Sequence, residues 1–569
     1  MHSKGKKSGE IMGLFRRRRQ RNVRRSDVVK EIPSKALEEN EKDKLTGSIE
    51  STVLFMQDML GDSDDFVVKH FQIFGRFRAV LFYVKNIADS NRINNEILKS
   101  LMYVPEHLMQ REWVKQEMLN ILVEETLYDS QTNREQKLDQ LINVILRGET
   151  VIVMEGQTEA IHIDTRMIEK RSIKSPETEQ AILGSRESFI ESIATNIALI
   201  RARLPTPDLC IKTMEIGRLT KSKVSICYMK GIADVKLIKE VEKRLSEIDI
   251  DVILDVGYIE QFIEDNPFSP FPQTQSTERP DKTVANLAEG RVAILVDGSP
   301  FSLIVPVVFN QFYQTFDDYS SRFLMGSFAR LARMLALVFS LIFPSLYVSF
   351  ISFNPELLPT EFAVAVAGGR AGVPYPAVIE VLIIEVAMEV LREATVRMPK
   401  QVGGALSIVG VLVVGEAAVN AGLASPITVV VIALTSIGSF ATPAYVAAFA
   451  LRMLRFPILF LAGIFGLYGV VIGIIFIFNH MLSLKSFGVP YMSPVSPGNS
   501  QGLKDIIIRS PLWWMSKRPV FLHPSNRDRL GEVKNKVLQH SKVGNDQREE
   551  AQNGGDKRGH NGSSGDNPN

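Results

Sequence analysis

Residues 331–352 read LARMLALVFSLIFPSLYVSFIS, and the stretches 403–422, 426–451 and 457–478 are comparably apolar. Each approaches or exceeds the roughly 20 residues that cross a bilayer core, so each is expected to span a membrane. The stretch 377–391 differs, being shorter and interrupted by Glu380, Glu385 and Glu389. It suits a membrane helix shielded by neighbours, or one lying at an interface. The run 301–312 is too short, and too broken by Pro306, to be read as a span. The expectation is an all-α membrane domain over 291–485 with about four to six membrane segments.

The averages of the whole chain hide this segmentation. Over 569 residues the hydrophobic content is 45% and the formal net charge +2, from 66 Lys plus Arg against 64 Asp plus Glu. So balanced a charge offers no global field for nucleic acid. Basic character is local: Arg16 to Arg19, Arg21, Arg24 and Arg25 form a run suited to a solvated tail or to anionic lipid headgroups. The start has no apolar stretch with a small-residue cleavage site, so the N-terminal half is expected on the cytoplasmic side. Cys210 and Cys227 lie in strand-like runs and read as buried thiols in a reducing compartment.

Residues 1–45 are dominated by charge and read as disordered. From there to about residue 266, short β-branched runs alternate with amphipathic helices, an α+β pattern. An internal echo divides it. Tyr83-Val84-Lys85-Asn86-Ile87-Ala88-Asp89 matches Tyr228-Met229-Lys230-Gly231-Ile232-Ala233-Asp234 at an offset of 228 minus 83, or 145, and Asp65 to Lys69 resembles Asp208 to Lys212 at 143. Two related subdomains, 46–148 and 149–266, are expected to share a β-α topology. Pro267, Pro270, Pro272 and Pro280 then mark a linker over 267–290 with few contacts. The region 486–569 is hydrophilic and reads as disordered after about residue 540.

Catalytic patterns are missing: no phosphate-binding glycine loop, nucleophile elbow or paired zinc histidines occur, and the chain does not read as an enzyme. No cofactor or metal is implied. His162 reads as structural, and Asp62, Asp64 and Asp65 as a polar turn capping a helix at Phe66. The informative residues are the membrane carboxylates. Glu385 and Glu389 share a helical face, Glu380 points well away from it, and Glu416 sits near the centre of an apolar stretch. An ionised group in hydrocarbon costs on the order of 2.5–3.5 kcal/mol, so each needs a bundle interior, a subunit interface or water. Two readings stay open: structural pairing with Arg392, Arg397 or a backbone group, or a ring of carboxylates along a cation path that gates or selects ions. Arg392, Arg397 and Lys400 in one loop and Arg452 and Arg455 in another favour the cytoplasmic side, and charge alone leaves the topology open. Gly463, Gly466, Gly469 and Gly473, like the glycines of 403–422, point to close helix packing.

Asn354-Pro355-Glu356-Leu357-Leu358-Pro359-Thr360, Gly372-Val373-Pro374-Tyr375-Pro376, Glu389-Val390-Leu391-Arg392-Glu393-Ala394 and Ser407-Ile408-Val409-Gly410 resemble the membrane domain of spore germinant-receptor A subunits. Val296 to Pro300 and Gly61 to Asp65 fit the same GerA-type family, so the resemblance covers roughly 49–478. It implies an integral protein of the spore inner membrane, working with a transporter-like B subunit and a C lipoprotein. Its homo-oligomer would conduct ions when germination begins. A non-conducting scaffold that only transmits the signal is the alternative. Carboxylates at a water-filled interface favour conduction, and carboxylates all paired to Arg within one chain favour the scaffold.

Overall fold

The structure, a computed structural model, describes residues 33–103, 118–123, 127, 132–167, 175–397, 415–498, 502–506 and 508–529. The chain forms two compact units, one drawn mainly from residues up to 168 and the other mainly from those beyond.

In the first unit, α1 (Ile49–Leu60) precedes the hairpin β1 (Phe66–Ile73) and β2 (Phe77–Val84). A helical run over 90–102, β3 (Thr132–Glu135), α2 (Leu138–Leu146), β4 (Thr150–Met154) and β5 (Ala160–Ile163) follow. The strands make an antiparallel sheet in the order β1-β2-β4-β5-β3. Side chains alternate across a strand, and here both alternating sets are apolar. Leu81, Ile152 and Ile161 pack with Ile93, Ile97 and Leu101, while Val80, Phe82 and Val153 pack with Met56 of α1 and Leu141 and Ile145 of α2. The sheet is therefore covered on both faces.

The second unit contains α3 (Ile193–Arg203), α4 (Val235–Ser246) and α5 (Val256–Ile263), then α6 (Pro280–Glu289). With them lies a second five-stranded sheet of β6 (Leu209–Ile216), β7 (Ser222–Met229), β8 (Gln275–Thr277), β9 (Val292–Val296) and β10 (Ser302–Val305), in the order β6-β7-β9-β10-β8. This repeats the first order strand for strand, with starts offset by 209 minus 66, or 143, for the first strand and 292 minus 150, or 142, for the fourth. The echoed motif has one job in both copies. Tyr83 and Tyr228 each stand one residue before the end of a strand. Asn86 and Gly231 follow in the left-handed region at φ +79° and +75°, which only Gly and, less readily, Asn and Asp adopt cheaply. Asp89 then caps the next helix by accepting from the Asn91 and Arg92 backbone N–H groups, as Asp234 does from that of Lys236.

Several expectations are corrected. The first sheet continues to Ile163 and the second to Val305, so the repeats end later than 148 and 266, and 267–290 is no linker. Pro280 occupies the first turn of α6, where a missing N–H costs nothing, and so starts a helix. Residues 291–305, expected in the membrane domain, supply β9 and β10; both are wholly buried, and short apolar runs of that kind carry no period to identify them. Phe66 opens a strand, so Asp62 to Asp65 precede β1 and cap no helix there. Residues 33–39 form a helix with Ala36 and Leu37 buried, which removes 33–45 from the tail expected to be disordered. The arginine run near the start and the tail beyond 529 lie outside the described residues.

Among the described residues, α7 (Phe323–Ser352), α8 (Thr360–Arg370), α9 (Ala377–Val396), α10 (Pro426–Phe440), α11 (Tyr445–Phe465) and α12 (Leu467–Ser483) follow, all apolar or partly apolar, with a helical stretch over 415–420 between α9 and α10. Among the described residues, α7 and α11 are long and apolar enough to cross a membrane, and α10 and α12 are shorter apolar helices. Their surface is inverted relative to a soluble bundle. Phe328, Phe440, Tyr468 and Phe476 face outward, while Ser340, Ser345, Thr428, Thr435 and Ser436 are buried. Small polar residues inside and large apolar ones outside are what helices need in lipid. The stretch 426–451 is not one helix: Pro443 offers no N–H and disfavours helix at Thr442, so α10 and α11 separate there. Pro457 lies inside α11 rather than at a start, and the break falls at Gly466, with φ +58°. Most of 403–422 lies outside the described residues.

Candidate functional site

Arg452 and Arg455 prove to be buried in the middle of α11, not in a loop, which removes one premise of the charge-based topology. They lie three residues apart, on the same helical face. Opposite them α9 presents Glu385 and Glu389, four apart. The Arg455 Nη1 donates to both oxygens of Glu385, at 2.7 and 3.0 Å. The Arg452 Nε donates to Glu389 Oε1 at 3.3 Å. The pairing of 385 with 455 and 389 with 452 makes the two helices antiparallel at this point. Close approach is possible because Gly463 of α11 has no Cβ; one added there would stand 2.6 Å from a Val378 methyl group of α9.

Arg392, one turn further along α9, completes the seam. Its Nη1 donates to Glu389 Oε2, its Nη2 to Ser439 Oγ of α10 at 3.4 Å, and its guanidinium lies over the Phe440 ring at 5.1 Å. Three guanidinium groups thus meet two carboxylates where three helices pack. Glu385 and Arg455 are 5% and 3% exposed at the side chain, and Glu389, at 32%, is the seam's opening to the surface. Among the described residues, the Nε atoms of Arg392 and Arg455 and the Ser436 hydroxyl are buried without partners. Charge in excess and donors in excess make this a polar seam held by pairing, yet not fully satisfied.

Glu380 belongs to a separate knot. Its Oε2 accepts from Arg370 Nε of α8 at 3.1 Å, and its Oε1 from the backbone N–H of Ser425, the N-cap of α10, at 2.6 Å. These partners differ from those of Glu385 and Glu389. Glu416 is exposed on a helical turn over 415–420 and does not join the other three acids.

Sequence reasoning missed a second charged knot at the start of α7. Arg330 donates to Asp318 at 3.0 Å and to Asp505 at 2.7 Å, Arg333 pairs with Asp318, and the Tyr319 hydroxyl donates to Asp505 at 2.7 Å. Burial pushes the Asp505 carboxyl above the usual range, against the pull of Arg330. The signal was present in Arg330 and Arg333, three apart at the edge of an apolar run and preceded by the Thr315–Asp318 capping box.

Residues 55–521 match the family model described as Bacillus/Clostridium GerA spore germination protein. The chain is 42% identical over 475 residues to spore germination protein KA of Bacillus subtilis (strain 168), covering 83% of this chain and 86% of that one. It is 36% identical to spore germination protein GerLA of Bacillus cereus, covering 84% and 96%. Among solved structures it is similar to the N-terminal domain of the A subunit of the Bacillus megaterium spore germinant receptor GerK3, at 33% identity and a TM-score of 0.37, over 47% of this chain and 98% of that one. The chain belongs to the GerA family of spore germination proteins.

Proposed function

We propose that this chain is the A-type subunit of a nutrient germinant receptor in the spore inner membrane, and that its α9–α10–α11 seam is the latch through which germinant recognition becomes ion release. A transporter-like B subunit and a C lipoprotein are its partners in this reading, and its αβ half faces the spore core. The observation that carries the latch is the in-chain pairing of Glu385 with Arg455 and of Glu389 with Arg452 and Arg392. Acids paired to Arg within one chain favour a bundle that transmits the signal, the scaffold alternative, over a bare ring of carboxylates along the ion path. Such a seam has two arrangements available, paired and separated, and a partner that favours one shifts the population of the other.

Conduction by an oligomer is the second reading, and α8 favours it. Of this short, mostly small and apolar helix only Val366 is buried, with Phe362 and Val364 exposed. A face of that kind suits helices of further copies as well as lipid. The receptor reading is tested by deleting the chain from spores and restoring it. Deletion is expected to abolish ion release to at least one nutrient and restoration to return it; unchanged responses to every nutrient tried would contradict the proposal.

A further inference from the structure

A cavity of about 420 Å³ lies among α6, the segment 308–319 and the C-terminal segment 502–529, outside the seam. That volume falls in the range of small-molecule sites, roughly 300–1,000 Å³. Its lining carries four cationic side chains, Arg291, Lys517, Arg518 and Arg529, against two acids, Glu289 and Asp505. Both acids are already engaged: Glu289 pairs with Arg291 and lies 3.6 Å from Arg529, and Asp505 pairs with Arg330. Positive charge is therefore left over on the Lys517 side of the cavity.

Among the described residues, two lining side chains each have a buried polar atom without a partner. Gln311 is 7% exposed; its Nε2 donates to Asn286 Oδ1 at 2.7 Å, and its Oε1 is buried without a partner. The Nδ2 of its neighbour Asn310 is buried and equally unpartnered. Both atoms are closed off from solvent and belong to the packed wall behind the cavity. Trp514 adds an aromatic wall. We infer that this cavity binds a small organic molecule carrying an oxyanion, carboxylate or phosphate, against the Trp514 ring. The oxyanion meets Lys517 and Arg529. Asp505, on the cavity wall, also holds Arg330 of α7, so occupancy bears on the first apolar helix.

The oxyanion could belong to a free solute or to a lipid headgroup, and the test separates these. The full chain is placed in phosphatidylcholine nanodiscs, and tryptophan fluorescence is followed during titration with para-hydroxybenzoate and with the neutral para-hydroxybenzamide. Saturable binding of the acid, at least about tenfold tighter than the amide and weakened about tenfold by Lys517→Gln or Arg529→Gln, is expected. Weaker apparent binding in nanodiscs containing phosphatidylglycerol assigns the oxyanion to a headgroup, and unchanged binding assigns it to a solute. No saturable binding, equal binding of the amide, or indifference to both substitutions in protein with an unchanged melting temperature would overturn the inference.

Discussion

Glu385 of α9 and Arg455 of α11 meet at 2.7 Å, each almost wholly withdrawn from solvent. Two opposite charges in such a place stabilise chiefly by not being alone: removing one partner of a buried pair costs about 3–5 kcal/mol, whereas removing both is often neutral. Glu385→Gln is therefore expected to lower the thermal stability of the detergent-solubilised chain sharply. Glu385→Gln with Arg455→Met should recover most of the loss. Additive losses in the double variant would show that the two groups do not act as a pair.

Glu389 is a milder case. It is shared between Arg392 and Arg452 and is partly open to the surface. Glu389→Gln should cost less than Glu385→Gln, by about 1–2 kcal/mol under matched conditions, because water reaches the charges left behind. Equal destabilisation by the two substitutions would contradict the placement of Glu389 at the seam's opening.

Much of the first half was legible because the echo reports backbone chemistry. A strand end, a left-handed turn residue and an Asp cap recur in order at Tyr83 and Tyr228, and each leaves its mark on residue type. The repeats' later strands were not legible. Val292–Val296 is apolar at every position, so it shows neither the alternation of a half-buried strand nor the length of a span. Glu385 and Glu389 stood out as costly in lipid and Arg392 as a partner, which Glu389 takes, but Arg452 and Arg455 did not stand out as partners. Pro457 reads as a helix start, which puts Arg452 and Arg455 in a loop, and pairing across 63 and 70 residues leaves no local pattern.

The corrected boundary gives a prediction about fragments. A piece ending at 266 lacks β8, β9 and β10 and so leaves an edge of β7 uncovered. It is expected to aggregate, because an unpaired apolar strand edge templates association. A piece ending near 315 keeps both sheets and should melt cooperatively. Similar solubility and melting of the two would contradict the sheet order.

The turn conformation predicts a matched pair of substitutions. Gly231→Val and Asn86→Val each force a β-branched residue to φ near +75° to +79° and should destabilise by about 1–2 kcal/mol, whereas Asn86→Gly should be neutral or stabilising. Thermal melts of the full chain check this. Tolerance of valine at either position would argue against the shared turn.

Glu264 predicts a pH dependence. Burial raises its pKa to about 7, with the backbone N–H of Gln273 opposing the shift and the nearby Glu260 and Asp265 charges adding to it. A carboxyl raised on folding binds more protons in the native state than in the unfolded state. Its contribution is thus present at low pH and is lost as pH rises from about 4.5 to about 7. Glu264→Gln keeps an acceptor for Gln273 and should raise stability at pH about 8 relative to pH about 5, measured by melting at both. An unchanged pH profile would place the titration elsewhere.

The latch is tested most directly in spores carrying Glu385→Gln with Arg455→Met, by following ion release against germinant concentration while the amount of the subunit is measured. The paired neutral substitution should leave subunit levels near wild type and remove the restraint between α9 and α11. Ion release is then predicted to begin at lower germinant concentration, or without germinant. Normal subunit levels with an unaltered dose–response curve would contradict the claim that this seam governs the response.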